Sequence, residues 1–87
     1  MPFKSEINKL QTQFEDIKDR VNNEGLLYLF AQFEVEDMLK IAKQHYALWK
    51  NLPDMDQDVI EEIRALINQM KQYLDYLFDM IEISRNR

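Results

Sequence analysis

Five carboxylates crowd the stretch from Leu52 to Ile63, which reads LPDMDQDVIEEI. Acidic residues at alternate positions are the opening of a calcium-binding EF-hand loop. That loop also needs a glycine at its sixth position and a bidentate glutamate at its twelfth. With Asp54 first, Asp56 and Asp58 fall at the third and fifth positions, but Val59 stands sixth and Ala65 twelfth. The turn residue and the decisive ligand are both missing, and an apolar helical period is already running at Val59 and Ile60. The stretch reads instead as a helix start. Asp58 and Glu61 have capping-box spacing, and the other carboxylates suit the positive end of the helix dipole.

The remaining reactive side chains are scattered. His45 is the single histidine, and it falls on the apolar side of its segment with Glu34 close to the same line. Eleven residues of helix put them roughly 16 Å apart, too far to hold one ion. No Glu-x-x-His pair of the di-iron bundles occurs. His45 therefore reads as a packed or interface residue. Glu34 is the odder case: it either reaches solvent or pairs with a lysine from another helix or chain. Ser5, Ser84 and Thr12 have no activating sequence context, and a single glycine rules out a phosphate-binding glycine loop. The expectation is no enzyme, no metal and no cofactor.

The chain has 87 residues, no cysteine and a net charge of −5. One domain follows from the length, and without disulfides its stability must come from apolar packing. Residues 1–25 carry four basic and five acidic groups, residues 26–53 three of each, and residues 54–87 four basic and eight acidic. Nearly all the acidic excess lies in the last third. Lys40, Lys43 and Lys50 share a polar face, but Glu36 interrupts them. Direct nucleic-acid binding is not expected of such a chain, whereas a basic partner protein is compatible with it. Residues 1–25 show no signal-peptide core, and the longest apolar run, residues 26–31, is far short of the ~20 residues that span a bilayer. The expectation is a cytoplasmic protein without a membrane segment.

Hydrophobic spacing predicts an all-α fold with helices over roughly 5–22, 26–51 and 56–84. In the first segment Phe3, Ile7, Leu10, Phe14, Ile17 and Val21 form one seam at alternating four- and three-residue steps. Ser5 is a candidate N-cap, and Asn22-Asn23-Glu24-Gly25 reads as a stop, with a kink at Gly25 as the competing reading. In the second segment Leu27, Phe30, Ala31, Met38, Ile41, Ala42, Leu48, Trp49 and Leu52 cluster on one side of the wheel, and Leu26, Tyr28, Leu29 and Phe33 widen it. A helix apolar nearly all round needs cover on several sides, from two neighbours and a second chain. The third segment keeps Ile60, Ile63, Ile67, Met70, Leu74, Leu77 and Ile81 in register over three heptads. Val59, Leu66, Tyr73, Met80 and Phe78 widen that seam, as a bundle helix requires. Ser84 to Arg87 reads as a basic end complementing the helix C-terminus. Short connections make neighbours antiparallel, so the expected architecture is an up-down-up three-helix bundle, with dimerisation as an added expectation.

Trp49-Lys50-Asn51, between two long helices, resembles the hairpin turn of the small WXG-type secreted proteins. Asn51 stands where that family has glycine. Leu77 and Met80 stand where its secretion tail would place an acidic residue after Tyr73 and Tyr76. The pattern is not met, and the chain is not assigned to that family.

What remains is surface. Tyr28, Leu29, Phe33, Tyr46 and Trp49 form a candidate interaction surface, and Asp75, Asp79 and Glu82 a candidate acidic face. The expected function is a small, acidic, non-enzymatic protein–protein interaction module, an adaptor or inhibitor, whose partner is a basic or nucleic-acid-binding protein. The alternative is a self-associating helical protein, a homodimer or higher oligomer whose assembly is its role.

Overall fold

Three helices account for most of the chain in a computed structural model that describes residues 2–86: α1 Pro2–Asn23, α2 Tyr28–Trp49 and α3 Gln57–Arg85. All three pack against one another, α3 more extensively on α2 than on α1, and no strand occurs among the described residues. The helix α1 begins at Pro2, ahead of the expected cap, so Ser5 lies exposed inside it. Proline suits a first turn, where its missing N–H has no helical acceptor to lose. At the other end Gly25 takes φ 72°, and the Glu24 and Leu26 N–H groups both donate to the Arg20 carbonyl at 3.0 and 3.1 Å. The glycine breaks the chain between two helices rather than kinking one.

Leu27 precedes α2 with extended backbone and no side-chain cap. After Trp49 the Lys50 N–H donates back to Tyr46 and Leu48, and Asn51 Nδ2 donates to the Ala47 carbonyl at 3.2 Å. Asp54 then adopts φ 63°, a left-handed conformation that aspartate tolerates better than most residues. The helix α3 is capped by Asp56, whose carboxylate accepts the Asp58 N–H at 3.0 Å. The cap therefore lies two residues before the expected Asp58, which sits in the first turn instead. At the far end the Asn86 N–H donates to the Glu82 carbonyl; Arg87 lies outside the described residues.

The core is entirely apolar. From α1 come Ile7, Leu10, Phe14 and Ile17, with Phe3 and Val21 partly buried, as the single seam predicts. From α3 come Val59, Ile60, Ile63, Leu66, Ile67, Met70, Leu74 and Leu77. The helix α2 differs from its expected wheel. Its buried face is Ala31, Val35, Met38, Leu39, Ala42 and Trp49, whereas Leu27, Phe30, Ile41, Leu48 and Leu52 are exposed. The broad apolar side splits into two stripes, and the bundle covers the one with small residues, which let helices approach closely. The molecule measures 53 × 20 × 16 Å with a radius of gyration of 14.6 Å. A compact chain of this length would have about 12 Å. The elongation leaves each helix long flanks facing solvent.

Candidate interaction surface

The five residues proposed as an interaction surface separate by depth. Leu29 and Phe33, one turn apart on α2, are exposed, Phe33 by 53%. Tyr28 and Tyr46 are half-buried and pack on the core. Trp49 is only 7% exposed and leaves the surface set. The Phe3 ring meets it edge-on at 5.0 Å, and the His45 ring stacks on it at 4.8 Å, nearly parallel. An indole clamped this way fastens the start of α1 to the end of α2. Position in sequence could not separate it from Phe33, because both lie on broadly apolar turns.

His45 also answers the pairing question. Its Nε2 lies 3.7 Å from a Glu6 carboxylate oxygen, a contact that joins the end of α2 to the start of α1. Glu34 is exposed and has no ion-pair partner among the described residues. It lines a cleft of about 320 Å³ between α1 and α2 with Asp37, Ile41, Asp16 and Arg20. Arg20 is engaged within its own helix by Asp16 at 3.1 Å.

Between α2 and α3 the outer surface is cationic at one end. Lys50 Nζ lies 5.4 Å from the Tyr46 ring centre, and the Arg64 guanidinium lies 6.0 Å from it while donating to the Tyr46 hydroxyl at 3.4 Å. Lys43 and Lys71 join Tyr46 and Arg64 in one shallow cleft. Tyr46 is thus a platform for cations, which explains its partial burial. Farther along α3, Asp75, Asp79 and Glu82 are all exposed with no ion pair among the described residues.

Tyr73 lies on the α1-facing side of α3. Its ring meets Phe14 edge-on at 5.6 Å and stacks on Tyr76 at 5.5 Å. Its hydroxyl is shielded from solvent and makes no hydrogen bond among the described residues. Burial, followed by the neighbouring Tyr76 and Tyr28 phenols, holds its pKa above the ordinary tyrosine value.

The surface residues that the wheel had assigned inward are Leu27, Phe30, Ile41, Leu48 and Leu52, with Leu48 66% exposed. The available signal was size: Ala31, Val35 and Ala42, each 0% exposed, mark the close-packed side of α2, which Met38, Leu39 and Trp49 share. Among the described residues no cluster of three or more His, Cys, Asp or Glu is arranged to hold a metal, and no helix is long and apolar enough to cross a membrane. Neither protein-family models, nor curated proteins, nor solved structures yield a match to this chain.

Proposed function

We propose that the chain is a small, acidic, non-enzymatic interaction module, an adaptor or inhibitor that docks a helix face on a partner protein. One observation carries this reading: Leu27, Leu29, Phe30 and Phe33, joined by three- and four-residue steps over the start of α2, are all exposed. Connected apolar patches rimmed by polar residues mark docking sites in soluble proteins. The free carboxylates of Asp75, Asp79 and Glu82 support a basic partner, a nucleic-acid-binding protein included, through steering of the encounter. The cysteine-free composition supports a cytoplasmic setting.

The helices run up-down-up in this reading. Supporting it, Phe3 and Glu6 near the start of α1 meet Trp49 and His45 near the end of α2, and Phe14 and Tyr73 meet midway along α1 and α3. A second reading, self-association, is favoured by the bipolar α2–α3 side. Lys43, Arg64 and Lys71 occupy one end and Asp75, Asp79 and Glu82 the other, so a copy laid antiparallel would match opposite charges.

A photoreactive benzophenone at position 33 tests the reading in the native cell. Cross-links to a second protein, absent when the probe sits at exposed Gln11 on α1, are the expected result. Cross-links to a second copy alone would transfer the role to self-assembly, and none at either position would remove the docking role. Asp79→Lys should leave helicity unchanged and slow association with a basic partner.

A further inference from the structure

Resting on the docking role proposed above, we infer that the occupant of α2's outer seam is an amphipathic helix of another protein, apolar toward its ends and carrying Lys or Arg at its middle. Leu27, Phe30, Glu34, Asp37, Ile41, Gln44 and Leu48 follow one another at steps of 3, 4, 3, 4, 3 and 4. That is the spacing along which one helix receives another. All seven are exposed, so this second seam has no occupant among the described residues. At its centre Glu34, Asp37 and Ile41 line the α1–α2 cleft, whose floor includes the buried side chains of Ile17 and Met38. The cleft thus joins an apolar floor to two carboxylates.

The charge pattern selects the occupant. Arg20, the cation in that cleft, is engaged by Asp16, and neither Glu34 nor Asp37 has an ion pair among the described residues. A second copy fits badly in either direction. Laid parallel, it sets Glu34 against Glu34 and Asp37 against Asp37. Laid antiparallel with Leu27 opposite Leu48, it sets Asp37 against itself on the two-fold axis and Glu34 against Ile41. Each arrangement gathers four carboxylates in one interface without a counter-charge, and covering unpaired charge is costly. A partner helix with basic residues opposite Glu34 and Asp37 resolves both problems. Its apolar ends then meet Leu27 and Phe30 on one side and Ile41 and Leu48 on the other.

Two fluorescein-labelled helical peptides of about 21 residues, three heptads long, test this. Both carry leucine at the outer seam positions; one carries lysine and its twin glutamate at the two central ones. By fluorescence anisotropy with the full chain, the lysine peptide should bind roughly tenfold more tightly or better, and the margin should shrink with added salt. The double variant Glu34→Gln, Asp37→Asn should erase the margin. Ile41→Asp should weaken both peptides with circular dichroism and melting unchanged. Equal affinity of the twins, failure of both to bind, or a margin that survives the double variant would each overturn the inference. So would a dimer in sedimentation that Ile41→Asp dissociates, because the second copy would then be the occupant. If the peptides fail while position 33 still cross-links a second protein, the basic helix is lost and the docking role stands. Failure of both experiments removes both.

Discussion

The helices α1 and α2 are both 22 residues long and both contribute to one core, yet they turn opposite surfaces to solvent. No large hydrophobic residue of α1 is exposed, whereas α2 exposes Leu29, Phe30, Phe33, Ile41 and Leu48. In α1 every apolar turn belongs to one seam, which its two neighbours cover. In α2 the fully buried positions include Ala31, Val35 and Ala42, and the rings of Phe30 and Phe33 stay outside. The two rings depart from the usual ordering, in which the largest apolar side chains gain most from burial, about 1.5–3 kcal/mol each, whereas Trp49 follows it. Folding alone gives no reason to keep them in water. The whole surface agrees: at 6137 Å² it exceeds by roughly a tenth the area expected for a compact monomer of this mass. The bundle therefore leaves the outer face of α2 uncovered, and that face is the one the proposed docking role would use.

That contrast holds only if the shared core is indispensable, so the largest expected effect lies in α3. Met70 is 0% exposed and Leu74 nearly so. Met70→Asp or Leu74→Asp places an unpaired carboxylate there and should abolish cooperative folding. Wild-type helicity and melting in either variant would sink the bundle. Next in size, Phe14→Ala removes the largest fully buried side chain of α1 and should cost about 3–5 kcal/mol in urea unfolding. A cost near zero would mean that α1, too, is decoration rather than core.

How much of this was legible in the sequence follows from the same contrast. The seams of α1 and α3 each have one apolar side, so period alone names their buried residues. In α2 two stripes overlap, and period cannot say which one the neighbours take. Packing distance decides that, and it favoured alanine and valine over phenylalanine. Trp49 was indistinguishable from Phe33 for the same reason, because its fastening partners, Phe3 and His45, come from separate helices or turns. The start of α3 was legible to within one residue, but its cap was misplaced by two. Asp56 and Asp58 can both cap, and only backbone geometry shows that Asp56 does. The apolar floor that Ile17 and Met38 set beside Glu34 and Asp37 was not legible, since it needs the register of α2 against α1.

A smaller effect tests the interface between α1 and α3. The shielded Tyr73 hydroxyl lacks a hydrogen bond, so Tyr73→Phe should stabilise the chain by about 1 kcal/mol. Its pH dependence has a definite sign. The folded pKa lies above the unfolded value, so the unfolded chain ionises first as pH rises. The stability contributed by neutral Tyr73 is present below the ordinary tyrosine pKa near 10 and is lost as pH rises through the folded value. Urea midpoints measured between pH ~8 and ~11 should fall less steeply in Tyr73→Phe than in wild type. Parallel slopes would remove Tyr73 as the source of alkaline sensitivity.

The smallest effect bears most directly on the comparison. Phe30→Gln and Leu48→Gln, singly or together, should move stability by no more than ~0.5 kcal/mol, because the wild-type side chains already face water. The same double change in a seam of α1, at Leu10 and Ile17, should leave no folded protein. Thermal melts of the two double variants side by side give the ratio directly. A large loss in the α2 pair would show that its outer face supports the fold, and the case for an external occupant would fall with it. Unchanged melting together with lost peptide binding separates the two jobs of α2: one stripe holds the bundle and the other faces outward.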